Sequence, residues 1–154
     1  MILLADEANA VKKGGQDLIG GLAVRVHRNH FGRQVESFAA DLQLPFLDGL
    51  SADASKHPFP GIFIRAPIVE AILSDDGGPR GLVDILAVLP VQYRRQSATV
   101  MAEEGRGDIA QTGEDIIAVR QGNIFGTSFH PELTGDDRIH AWWLAEVVRA
   151  LESK

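Results

Sequence analysis

Near the C-terminus, two apolar runs flank a short polar connection and lead into a stretch of helical periodicity, and this module constrains the fold more than any other part of the chain. Ile116-Ile117-Ala118-Val119 and Ile124-Phe125-Gly126-Thr127-Ser128-Phe129 sit either side of Arg120-Gln121-Gly122-Asn123. Strand-forming residues around a glycine-bearing connection predict an antiparallel hairpin. Asp136 and Asp137 can then start a helix with Ile139, Trp142, Trp143, Val147 and Leu151 on one broad apolar face. The module thus places strands and a helix side by side in one chain.

The remaining elements alternate without repeats. Apolar positions at Ile2, Leu3, Leu4, Ala8 and Val11, stopping near Gly14-Gly15, predict a helix over Met1–Val11. Leu22–His27 alternates apolar and polar residues, Val35–Leu44 does so more loosely, and Gly61-Ile62-Phe63-Ile64-Arg65 reads as a short buried strand ended by Pro67. Residues 74–115 mix glycine-rich turns, an apolar run at Leu82–Leu89 and the polar stretch Glu103–Glu114, and read as an insertion with one helix. The 154 residues otherwise form a single domain.

Composition matters here for what it excludes. A formal net charge of -6, with only small basic clusters at Arg25–Arg33 and Tyr93-Arg94-Arg95, argues against a nucleic-acid partner. No apolar run approaches the roughly 18 residues a membrane span requires. Zero cysteines exclude disulfides, thiolate metal sites and a cysteine nucleophile within this sequence, and fit the cytoplasm. Acidic residues follow the short apolar start at once, so the N-terminus is not read as a signal peptide. His27 and His30 lie at a strand-to-loop junction without a third ligand, so no metal site is expected. Arg106-Gly107-Asp108 is read as a chance tripeptide, the pairs Gly77-Gly78 and Gly20-Gly21 as turns, and Trp142 and Trp143 as one core anchor and one partly exposed ring.

Chemistry concentrates in Phe129-His130-Pro131-Glu132-Leu133-Thr134, where an imidazole and a carboxylate stand two residues apart just after a strand. A carboxylate that holds one ring nitrogen fixes the tautomer and makes the other nitrogen a better base. Taken alone, the pattern reads better as a histidine capping a turn and a glutamate at a helix start.

Three blocks together change that reading. The FHPELT block with Asp137-Arg138, the block Arg28-Asn29-His30-Phe31-Gly32-Arg33-Gln34-Val35-Glu36-Ser37-Phe38, and Gly61-Ile62-Phe63-Ile64-Arg65-Ala66-Pro67 resemble, in order and spacing, the glutaminase subunit of pyridoxal 5'-phosphate synthase, within the class I (triad) glutamine amidotransferases. The resemblance implies a three-layer, flavodoxin-like α/β fold whose mixed sheet carries an antiparallel C-terminal hairpin. It implies His130 as general base and acid of a Cys-His-Glu triad, Glu132 as its orienting partner, and Arg28, Ile64 and Arg65 as the pocket for L-glutamine. It implies ammonia transfer to a (β/α)8 synthase subunit and no cofactor. The chain departs from the family at its start, where Met1-Ile2-Leu3-Leu4-Ala5 matches residues that follow the family's nucleophile turn. The expectation is therefore a chain incomplete at its N-terminus, lacking the nucleophile, the oxyanion loop and the first strands, with an unpaired sheet edge. The alternatives are a non-catalytic paralogue or fragment that only binds the synthase and, more distantly, another class I amidotransferase domain.

Overall fold

A computed structural model of the chain describes residues 1–9, 17–28, 37–50, 57–73, 78–94 and 114–153. In chain order its elements are β1 (Ala5–Asn9), β2 (Leu22–His27), β3 (Phe38–Leu42), β4 (Phe59–Phe63), β5 (Ile68–Ile72), β6 (Asp84–Val88), β7 (Ile116–Gln121), β8 (Ile124–Thr127) and α1 (Arg138–Glu152). Six strands form the main sheet in the order β1-β2-β5-β7-β6, with β8 on β7, while β3 and β4 pair as a separate ribbon. β1 and β2 run parallel and the other neighbours antiparallel, so the sheet is mixed as expected. It also curls: β5 and β7 share only the pair Val69 and Ile116, and the Gln121 side chain of β7 accepts the Ala23 N–H of β2 at 2.8 Å.

The C-terminal hairpin forms more tightly than its sequence suggests. β7 continues through Arg120 and Gln121 of the expected four-residue connection until Gln121 faces Ile124, leaving Gly122 and Asn123 as a two-residue turn. Gly122 has φ 57, a value that L side chains resist and that the tight turn requires. In α1 the apolar face is buried only at its start. Ile139 and Trp142 are in the core and Trp143 is partly covered, whereas Val147 and Leu151 are exposed.

The helix expected at the N-terminus gives way to tertiary pairing. The helix over Met1–Val11 is replaced by one 3-10 turn at Ile2–Leu4 followed by strand β1, with positions 10–16 outside the described residues. β2 offers a parallel partner from Leu22 to His27, and the polar side chains of β1 find partners on three elements: Glu7 with Arg25 of β2, Asn9 with Glu70 of β5, and Asp6 with Arg80 of the 3-10 turn Gly78–Arg80. The apolar run Leu82–Leu89 contributes strand β6, whose backbone pairs with β7 from Asp84 to Val88. Residues 95–113 of the proposed insertion lie outside the described residues, as do His30 and the Arg106-Gly107-Asp108 tripeptide. The strand read over Gly61–Arg65 is β4, which starts at Phe59 and ends at Phe63. Arg65, at φ 47, breaks the extended backbone there and turns the chain from the β3–β4 ribbon into β5 of the main sheet.

Two cores sit in this frame. Val24, Val26, Val69, Ile116 and Val119 pack with Ala5 and Leu22 beneath Met1, Ile2 and Leu4. The larger core joins the ribbon, the hairpin and α1 through Leu42, Leu47, Phe59, Phe63, Phe129, Ile139 and Trp142. Phe59 and Phe63 are fully buried, and burial of each ring is worth roughly 1.5–3 kcal/mol. No helix among the described residues is long and apolar enough to cross a membrane.

Candidate catalytic site

The FHPELT segment leaves β8 and is fixed before it turns. The Phe129 ring is buried with its centroid 5.8 Å from that of Phe59 and 5.7 Å from that of Phe63, both on β4. The His130 N–H donates to the Ile62 carbonyl of β4 at 2.8 Å, and the Ser128 N–H donates to the Ile117 carbonyl at 2.8 Å. Backbone and ring therefore hold the residue that precedes the imidazole on both sides. Pro131 opens a 3-10 turn, Pro131–Leu133, whose fixed proline φ brings Glu132 back toward the ring.

The result is a hydrogen-bonded pair, with His130 Nδ1 2.8 Å from Glu132 Oε1. Hydrogen bonding from His130 holds the Glu132 carboxyl below the usual carboxylate range, and the Glu132 N–H adds to the effect against a small opposing cost of burial. An ionised carboxylate can only accept, so Nδ1 carries a proton, and in the neutral ring that leaves the lone pair on Nε2. The side chains are 39% and 59% exposed, so the pair stands at the surface. This is a base held in one tautomer at a surface.

The other residues named from sequence are placed by the strands that carry them. Ile64 and Arg65 directly follow β4, next to the Ile62–His130 backbone bond, and both are exposed. Arg28 is half-buried at the end of β2, where His27 faces Ile68 in register, three residues beyond Arg65. Neither guanidinium is hydrogen-bonded to His130 or Glu132 among the described residues. Met1 lies close by: a Cβ built on Gly126 meets its Cα at 3.4 Å, and Ser128 Oγ is 3.5 Å from its sulfur.

Sequence reasoning missed how the loop is closed. The Thr134 hydroxyl donates to the Pro131 carbonyl at 3.0 Å and accepts the Asp136 N–H at 3.1 Å. Asp136 is in turn gripped by Arg138, whose Nε and Nη2 donate to its carboxylate. The signal was the polar spacing Thr134, Asp136, Arg138 immediately after the dyad. His27 Nδ1 lies 3.8 Å from Glu70 Oε1, and among the described residues no group of three or more His, Asp or Glu could hold a metal ion.

With this geometry in view, comparison with known proteins is decisive. The model of the SNO glutamine amidotransferase family matches residues 1–82 and 84–149. The chain belongs to that family. "Probable pyridoxal 5'-phosphate synthase subunit PDX2" of Arabidopsis thaliana is 44% identical over 147 residues, covering 94% of this chain and 53% of the relative. "Pyridoxal 5'-phosphate synthase subunit PdxT" of Pelotomaculum thermopropionicum is 40% identical over 151 residues, covering 97% of this chain and 56% of the relative. A solved structure titled "Crystal structure of glutamine amidotransferase" superposes with a TM-score of 0.61 at 34% identity, covering 94% of this chain and 55% of that one. The fold is thus the α/β glutamine amidotransferase fold. The chain spans about half the length of the curated relatives it matches.

Proposed function

We propose that the chain carries the histidine and glutamate of a glutaminase subunit of pyridoxal 5'-phosphate synthase, which hydrolyses L-glutamine to glutamate and ammonia for vitamin B6 biosynthesis. The observation that carries this reading is the 2.8 Å bond between His130 Nδ1 and an ionised Glu132 on a loop anchored to β4. Family membership and the relatives' names support it.

In this reading Nε2 of His130 takes the proton of a cysteine thiol, and the sulfur attacks the side-chain amide carbon of glutamine. The imidazolium returns the proton to the departing nitrogen, which leaves as ammonia, and a glutamyl thioester remains. Water then attacks the thioester as His130 takes its proton, glutamate departs, and the thiol is regenerated. Glu132 holds the ring in the productive tautomer and stabilises the imidazolium. Arg28 and Arg65 bind the substrate's carboxylate end, with Ile64 lining the pocket, since a guanidinium fork suits a carboxylate. The sequence contains no cysteine, so the thiol comes from outside these 154 residues. The reading further holds residues 1–154 to be one glutaminase domain with an insertion at 74–115, acting in the cytoplasm beside a (β/α)8 synthase subunit.

The absence of cysteine also favours a second reading, in which the chain docks onto the synthase without catalysis. Ammonia release from L-glutamine separates the two. Residues 1–154 alone should show none, and joining a cysteine-bearing upstream segment should restore it. Loss of a triad nucleophile costs roughly 10⁴–10⁶ in rate. Hydrolysis by the chain alone that survives His130→Asn would sink the assignment.

A further inference from the structure

We propose that Arg138, acting with Asp136, is a positioning residue that sets the His130–Glu132 pair, an inference that rests on the reading of that pair as the catalytic dyad. Arg138 is the first residue of α1, and a helix start needs only caps for its free N–H groups. This side chain does more. Its Nε and Nη2 donate to the Asp136 carboxylate at 2.9 and 2.6 Å, its Nη1 donates to the His57 carbonyl at 3.0 Å, and its Nη2 reaches the Pro58 carbonyl at 3.3 Å. The guanidinium carbon stands 5.7 Å from the Phe59 ring centroid.

Each of these contacts leads back to the dyad. Phe59 is one of the two rings that seat Phe129, so the grip on His57, Pro58 and Phe59 fixes the wall against which the residue before His130 packs. On the other side, Asp136 donates its N–H to Thr134 Oγ1, and Thr134 ties to the Pro131 carbonyl, closing the turn that carries Glu132. The dyad loop is therefore held at its start through Phe59 and at its end through Asp136, by one guanidinium. Both partners of the Arg138–Asp136 pair are 19% exposed, which shields their bond from water. A lysine cannot reproduce it, because an ammonium lacks the planar fork that serves a carboxylate and two carbonyls together.

Imidazole nitrogen chemical shifts of His130 report the tautomer directly and do not depend on turnover. In the unsubstituted chain the Nδ1–H form should dominate. Arg138→Gln and Asp136→Asn should each lower that population by about twofold or more, toward the Nε2–H form that an unconstrained ring prefers. Arg138→Lys should recover only part of it, and Arg149→Gln, which removes an ion pair at the far end of α1, should change nothing. In a cysteine-bearing chain that hydrolyses glutamine, Arg138→Gln should lower kcat about tenfold or more with KM within about twofold. If Arg138→Gln does not fold, Asp136→Asn decides, because it leaves the bonds to His57 and Pro58 in place. Folded variants with an unchanged His130 spectrum would overturn the proposal. A shifted spectrum in a protein that hydrolyses no glutamine in any form would uphold the positioning and remove the glutaminase reading.

Discussion

Among the described residues two histidine–carboxylate pairs can be compared, His130 with Glu132 and His27 with Glu70, and the first alone of these two is hydrogen-bonded through its ring. His130 and Glu132 come from one short segment and meet at 2.8 Å, whereas His27 and Glu70 come from different strands and stand 3.8 Å apart, beyond hydrogen-bond range. Glu70 is also engaged by the Asn9 side chain, so its carboxylate is shared across β1, β2 and β5. The proline turn after His130 decides the outcome, since it returns the carboxylate to the ring, while pleated strands fix His27 and Glu70 at the spacing of the sheet. The residue types are alike. Backbone geometry makes the difference.

The comparison breaks most sharply in turnover. In a chain that carries the cysteine, His130→Asn should reduce glutaminase kcat to background, and Glu132→Gln should cost roughly 10²–10⁴ by releasing the tautomer. His27→Asn and Glu70→Gln should each leave kcat within about threefold, as expected of sheet residues outside the reacting atoms. Equal losses from both pairs in steady-state kinetics would erase the distinction.

Support of the first pair should next appear in stability. Phe129→Ala empties a site between Phe59 and Phe63 and should destabilise the fold by about 3–5 kcal/mol in denaturant titration. Asn9→Ala beside the second pair should cost about 0.5–1.5 kcal/mol, the net worth of one partly buried hydrogen bond. A Phe129→Ala variant as stable as Asn9→Ala would mean that the aromatic cluster does not hold the dyad loop.

What could be read from sequence follows the same division between local and distant causes. His130 and Glu132 lie two residues apart, and their meeting needs only the turn that Pro131 favours, so the dyad was legible. So was the hairpin around Gly122, for the same reason. Met1–Val11 misled because a helical spacing of apolar residues says nothing about β2, whose parallel pairing made Ala5–Asn9 a strand. The end of β4 could not be read because a positive φ at Arg65 has no signature in an arginine. Asp136 and Arg138 were visible as residues, but the grip of Arg138 on His57 and Pro58 spans about eighty positions, a distance that no local pattern encodes.

The smallest expected effect concerns acid. Glu132 is held below its ordinary pKa chiefly by the hydrogen bond from His130, so its ionised form is favoured more in the folded chain than in the unfolded one. The sign is then fixed by linkage: the stabilisation is present above the unfolded carboxyl pKa of about 4.3 and is lost as pH falls through the lower folded value. Because Glu132 is 59% exposed, solvent screening limits the effect to at most about 1 kcal/mol. Glu132→Gln should therefore be slightly less stable than the unsubstituted chain at pH 7, with the gap closing below about pH 4 as the carboxyl protonates. Asp136 is also lowered, by Arg138, and it is better shielded, so Asp136→Asn should show a larger gap that closes in the same direction. Urea titrations at pH 7 and at pH 3 measure both. A Glu132→Gln gap that persists undiminished to pH 2 would show that the dyad is held by packing alone, and would leave the geometric contrast between the two histidine pairs without its electrostatic part.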